Sequence, residues 1–131
     1  MKTHAIKVKV RFGETDGAGV VWHANYFAYL EEARVRFLDT IGITYKTLMS
    51  MGYHLPIVEA SIRYRAPAFF DDELAVTAIF HPIEGPRLVI DYKITRGGDV
   101  LTEAKTTLAF INLKGFPVKP PAEFVQKINS K

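Results

Sequence analysis

The chain contains no cysteine. That excludes a disulfide framework, a zinc–thiolate or iron–sulfur centre, and a cysteine nucleophile. It also fits a reducing compartment. No apolar run approaches the roughly 18–20 residues of a membrane-spanning helix. The segment Met1 to Val10 interleaves charge with apolar residues, without the continuous apolar stretch of a secretion signal. The expectation is a soluble cytoplasmic protein with no membrane insertion. Neither a phosphate-binding Gly-Lys-Ser/Thr loop nor a Gly-x-Ser-x-Gly nucleophile elbow occurs. His4, His54 and His81 are widely spaced and show no metal-ligand pattern, so no metal is expected.

Surplus charge is also scarce. Lys and Arg number 17 against 14 Asp and Glu, a net charge of +3. Residues 1–50 carry seven basic and five acidic groups, residues 51–100 five and seven, and residues 101–131 five and two. A nucleic-acid footprint needs clustered Lys and Arg, so nucleic acid is not an expected partner. The basic tail suits either plain solvation or a phosphate-bearing ligand.

What remains is ordinary globular material. The 131 residues are 48% hydrophobic and 24% charged, which excludes a disordered or fibrous chain and suits one compact domain over residues 1–131.

Hydrophobic spacing gives the element order. Ile6, Val8, Val10 and Phe12 alternate with Lys7, Lys9 and Arg11, the period of a half-buried strand. Gly13, Gly17 and Gly19 then place a tight loop over residues 13–19. From Tyr26 the period becomes helical, with Leu30, Ala33, Phe37 and Ile41 on one face. Asn25 is the expected N-cap, Gly42 the C-terminal stop, and Glu32–Arg36 an ion pair one turn apart. Phe27, Tyr29 and Leu38 widen the apolar surface, so the helix is expected to be buried on most sides. A short helix follows around Thr44–Met51. Strand patterns run through Val58–Tyr64, Leu74–Phe80, Leu88–Ile94 and Val100–Leu113, with Gly97-Gly98 as a hairpin turn. Residues 122–128 read as a terminal helical turn. Consecutive hairpins and one apolar helix specify an α+β roll with the helix packed on an antiparallel sheet.

One constellation carries chemistry. Asp16 sits in the glycine-rich loop just ahead of a helix start, where free N–H groups and the positive dipole end attract developing negative charge. His23 lies seven residues on. A carboxylate facing free N–H groups across a small volume is what acyl transfer needs. Alone, Asp beside Gly is more often a turn residue.

The run Glu14-Thr15-Asp16-Gly17-Ala18-Gly19-Val20-Val21-Trp22-His23-Ala24-Asn25-Tyr26, followed by Glu31, Ala33, Arg34 and Leu38, resembles the hotdog-fold acyl-CoA thioesterases. It is most similar to the 4-hydroxybenzoyl-CoA thioesterase family and its YbgC-like branch. Tyr64-Arg65-Ala66-Pro67-Ala68 with Asp71-Asp72 looks like that family's second landmark. The resemblance implies a five-stranded antiparallel sheet wrapped around one long buried helix. It implies Asp16 as the catalytic carboxylate and the backbone N–H at His23 as the carbonyl polariser, with a side-chain role for His23 open. It places Gly19, Val20, Val21, Trp22, Asn25 and Tyr26 around the substrate, Tyr26 partly as core. Arg65, Lys114 and Lys119 become candidates for the coenzyme A phosphates. No cofactor is implied, since coenzyme A belongs to the substrate. The implied assembly is a homodimer or homotetramer sharing active sites. Exposed sheet edges and the apolar residues Val89, Ala109 and Ile111 on the outer face point the same way.

The expected activity is hydrolysis of an acyl-CoA thioester to a carboxylate and coenzyme A. Two alternatives stand beside it: a hydratase or dehydratase acting on acyl thioesters, and a non-catalytic acyl-thioester binding module on the same fold.

Overall fold

The computed structural model describes residues 1–130. Strand β1 spans Lys2–Lys9 and helix α1 Tyr26–Ile41. A one-and-a-half-turn helix α2 covers Tyr45–Ser50. Strands β2 (Ile57–Tyr64), β3 (Glu73–Phe80), β4 (Arg87–Arg96) and β5 (Asp99–Ala109) follow. Helix α3 closes the described chain at Ala122–Asn129. The strands form one antiparallel sheet in the order β1-β3-β4-β5-β2.

The inner face of the sheet carries Val76, Ala78, Phe80, Ile90 and Ile94, all fully buried. Helix α1 meets it with Leu30, Ala33, Phe37 and Leu38. The Phe37 and Phe80 rings stack at 3.9 Å. Each of the Val, Leu, Ile and Phe side chains among these residues is worth about 1.5–3 kcal/mol of apolar burial. A polar thread crosses this core. The buried Arg34 guanidinium donates to the Tyr45 hydroxyl at 2.8 Å and the Tyr92 hydroxyl at 3.3 Å. Tyr92 shares a 2.7 Å hydrogen bond with Thr106. Satisfied buried groups of this kind fix one packing geometry; here they tie α1, α2, β4 and β5 together.

Most expected elements are present, and several local details differ. Phe12 leaves the core face and is 60% exposed. The strand ends at Lys9, and Phe12–Glu14 forms a single 3₁₀ turn, in which the Glu14 carboxylate accepts the Arg11 N–H at 2.8 Å. Asn25 does precede α1, but its backbone is already helical and its side chain caps nothing. The helix enters through a 3₁₀ turn at His23–Asn25, so the extended residue at the start is Trp22, whose side chain has no acceptor oxygen with which to cap.

Helix α1 is buried on one broad side only. Phe27, Ala28, Glu31, Glu32 and Arg36 are exposed, because the sheet wraps one face of the helix. Arg36 pairs with Asp39 at 3.4 Å rather than with Glu32. Thr44 does cap α2, accepting the Thr47 N–H at 3.1 Å. The last strand stops at Ala109, short of Leu113, because the Asn112 side chain accepts the Lys114 and Phe116 N–H groups and turns the chain back. Helix α3 is a full two turns, with Phe124 and Ile128 buried four residues apart. Val89, Ala109 and Ile111 are half-buried. Strand β2 is almost entirely exposed and forms one edge of the sheet.

Candidate active site

The loop between β1 and α1 folds back on itself as a small hairpin. Thr15 bridges Val21, and the Asp16 N–H donates to the Val20 carbonyl at 2.9 Å. Gly17 and Gly19, both at φ 91°, make the reversal; a side chain at either would be strained there. The Asp16 carboxylate accepts the Ala18 N–H through Oδ1 at 2.8 Å. This is an Asx turn, the local role expected of Asp before Gly. Oδ2 takes no hydrogen bond among the described residues, and the side chain is exposed.

A second segment, residues 65–72, clamps the loop to the sheet. The Val21 N–H donates to the Ala68 carbonyl at 2.9 Å and the Phe70 N–H to the Gly19 carbonyl at 2.7 Å. Asp72 holds that segment by accepting from Arg96 at 2.6 Å and the Phe69 N–H at 2.9 Å. Burial pushes the Asp72 carboxyl upward. The Phe69 N–H and the Arg96 guanidinium outweigh it and hold the group below the usual carboxylate range.

Next comes the 3₁₀ turn at His23–Asn25. Its opening N–H groups have no partner within the turn, and among the described residues none accepts from the His23 N–H. The turn is braced from two sides. The Tyr64 hydroxyl donates to the His23 carbonyl at 2.7 Å. The Asn25 N–H donates to the Trp22 carbonyl at 2.8 Å, and the Trp22 N–H to the Glu14 carbonyl at 3.0 Å. Glu14 in turn accepts the Tyr29 hydroxyl at 3.0 Å. Burial, then the Glu14 acceptor, pushes the Tyr29 hydroxyl well above its ordinary range. The Tyr26 hydroxyl accepts the Ala68 N–H at 3.3 Å and is raised chiefly by burial. Both phenols are therefore neutral near pH 7, Tyr29 donating to Glu14 and Tyr26 accepting from Ala68. The Asn25 Nδ2 is buried without a hydrogen-bond partner, an uncommon state for an amide.

A cleft of about 300 Å³ opens beside this turn, lined by Val20, Val21, His23, Tyr26, Tyr64, Arg65, Ala66 and Pro67. It brings together five residues expected at the site: Val20, Val21, His23, Tyr26 and Arg65. Asp16, Gly19, Trp22 and Asn25 belong to the same loop but do not line the cleft. Trp22 is 54% exposed. Arg65 pairs with Glu103 at 3.3 Å, so part of its charge is already used. Lys114 lies in the turn after Asn112 and does not line the cleft. Lys119 lines a larger cleft of about 500 Å³ beside α3. That larger cleft contains no residue of the glycine loop, so size does not mark the chemistry here. Tyr64 lies 41 residues from His23, and no local spacing in the sequence signals their contact. Among the described residues no cluster of His, Asp and Glu could hold a metal ion.

Residues 10–128 match the model of the thioesterase-like superfamily. The chain belongs to that superfamily. It is 31% identical to the acyl-CoA thioesterase YbgC of Haemophilus influenzae over 118 residues, covering 88% of this chain and 87% of the relative. It is 30% identical to a putative esterase of Aquifex aeolicus over 90% of this chain and 91% of the other. Among solved structures it is similar to Slr0204, a 1,4-dihydroxy-2-naphthoyl-CoA thioesterase from Synechocystis. There the TM-score is 0.92 and the identity 28%, over 98% of this chain and 97% of that one. The five-stranded antiparallel sheet with its long helix is thus the hotdog fold of the thioesterases. This agrees with the sequence resemblance in both family and architecture. No helix among the described residues is long and apolar enough to cross a membrane.

Proposed function

We propose that this thioesterase-family chain hydrolyses an acyl-CoA thioester to a free carboxylate and coenzyme A, residues 1–131 acting as one hotdog domain. The observation that carries this reading is the unpartnered His23 N–H at a braced turn, beside an apolar cleft and one short loop from Asp16. The thioester carbonyl lies toward the turn, so the oxygen gains negative charge next to a donor already in place. Asp16 either takes a proton from the attacking water or attacks the carbonyl itself, forming a mixed anhydride that water then opens. In both routes the C–S bond breaks, coenzyme A leaves as thiolate and is protonated, and water supplies the oxygen of the new carboxylate.

The acyl group occupies the cleft walled by Val20, Val21, Tyr26 and Tyr64, near Gly19, Trp22 and Asn25. Arg65, at the rim, is the first candidate for the coenzyme A phosphates; Lys114 and Lys119 are more remote candidates. We further infer a cytoplasmic homo-oligomer, at least a dimer. The exposed β2 edge, with Ile57 44% and Val58 52% exposed, supports association. A plain binding module needs no pairing of a carboxylate with an unpartnered N–H, and a hydratase, which would also polarise the thioester carbonyl, is separated by whether thiol is released.

Thiol release from a panel of acyl-CoAs of differing acyl size tests the activity. Release with saturation kinetics is expected. Water addition without thiol, or binding without either, would overturn it.

A further inference from the structure

The expected site residues do not account for Tyr64. It ends the edge strand β2 and is 42% exposed, so it is not there to fill the core. Its backbone is nevertheless fixed: Tyr64 pairs with Thr102 of β5, and the next two N–H groups, Arg65 and Ala66, both donate to the Leu101 carbonyl. Its ring meets that of Tyr26 edge-on at 5.1 Å. From this rigid base the hydroxyl reaches across to the His23 carbonyl at 2.7 Å. That is a good O–H···O distance, spent on a backbone carbonyl in a turn that could otherwise be satisfied by water.

We propose that Tyr64 is a positioning residue for the oxyanion turn: its hydroxyl anchors the His23 carbonyl and thereby aims the unpartnered His23 N–H into the cleft. The proposal rests on the reading of that N–H as the oxyanion donor. The logic is geometric. A peptide plane is rigid, so pinning the His23 carbonyl on one side, while the Asn25 N–H holds the Trp22 carbonyl on the other, leaves the backbone at His23 little freedom to rotate. A donor that cannot swing away needs no reorganisation as charge develops on the substrate oxygen. Tyr64 also walls the cleft, so one side chain couples cleft shape to donor direction. It touches the turn rather than the reacting atoms, and it acts through His23.

Tyr64→Phe keeps the ring contact with Tyr26 and removes only the O–H. The variant is compared with wild type and with Asp16→Asn on one acyl-CoA by thiol release, and the His23 carbonyl ¹³C resonance is followed in wild type and Tyr64→Phe. We expect kcat to fall about tenfold, less than the 10²–10³ that follows outright removal of a donor. KM should stay within about a factor of two, and the His23 carbonyl resonance should move upfield as its hydrogen bond is lost. Tyr64→Leu, which also lacks the hydroxyl, should show the same kcat loss with a raised KM. A Tyr64→Phe kcat equal to that of an active wild type, or an unmoved His23 resonance, overturns the positioning role alone. Wild type that releases no thiol from any acyl-CoA overturns the oxyanion reading and this inference with it.

Discussion

Asp16 spends one carboxylate oxygen on its own turn and leaves the other free. Asn at this position can still accept the Ala18 N–H, so Asp16→Asn should keep the loop and the melting temperature. It cannot act as base or nucleophile, so turnover should fall by about 10²–10⁴. Thiol-release rates within a factor of two of wild type would remove Asp16 from the mechanism. His23 should behave differently. The proposed donor is its backbone N–H, which alanine retains, so His23→Ala should lose distinctly less kcat than Asp16→Asn. Equal, severe losses in the two variants would bring the imidazole into the chemistry. Both measurements use one substrate at one pH, so that the two losses are directly comparable.

Among the elements, the clamp at residues 65–72 matters most to the site. It has no regular secondary structure, yet it holds both Gly19 and Val21 by backbone hydrogen bonds. Asp72 keeps it in place, and the Phe69 N–H and the Arg96 guanidinium hold its carboxyl below the usual carboxylate range. A carboxyl held low in the folded state stabilises that state above its unfolded pKa, and the stabilisation is lost as pH falls through the folded pKa. The clamp should therefore loosen in acid below about pH 4 and stay firm at neutral pH. Amide exchange at Val21 and Phe70 checks this: it should quicken, relative to core strand amides, as pH falls. In Asp72→Asn it should be fast already at neutral pH. Exchange at those two amides that tracks the core strands in both proteins would contradict the role.

Elements of this kind also show where the sequence was legible. The helix at Tyr26–Ile41 and the Gly97-Gly98 hairpin follow from spacing that stays within a few residues. So does the loop, because Gly17 and Gly19 permit its reversal within a few residues. Phe12 misled because alternation continues past the point where Glu14 turns the chain. Asn25 misled because a 3₁₀ turn looks like a cap in one dimension. The clamp and the Tyr64 contact were invisible for a different reason: they join residues some 40–50 positions apart, and only the sheet brings them together. The resemblance marks residues 64–68 with Asp71 and Asp72 as a landmark without saying what they hold.

At the scale of the molecule, one protomer leaves much apolar surface open. Trp22, Phe69, Phe70 and Tyr64 are all more than 40% exposed, and they flank the loop, the clamp and the end of β2. Soluble monomers rarely expose this many large side chains in one neighbourhood. Light scattering at micromolar concentration should give at least twice the chain mass of 14.8 kDa. A charge placed at the exposed β2 position Val58→Asp should shift the protein toward monomer. A stable wild-type monomer would contradict the proposed assembly.

The sheet order carries a consequence for how the enzyme comes into being. Strands β3, β4 and β5 follow one another through short turns, so their pairing closes small loops. Strand β1 pairs with β3 only across the helix, matching Lys2 with Phe80, and β2 pairs with β5 by passing over two strands. Distant pairings pay chain entropy before they gain contacts, and chains dominated by them fold in milliseconds to seconds. The glycine loop hangs between β1 and α1, and Tyr64 sits at the end of β2. Both halves of the centre therefore arrive with the slow strands. During refolding, amides of β3–β5 should gain protection first, and recovery of thiol release should lag behind them; simultaneous recovery would show that the outer strands dock in the same step. With the lag, a newly collapsed molecule would hold its central meander for a measurable interval before it could turn over a single substrate.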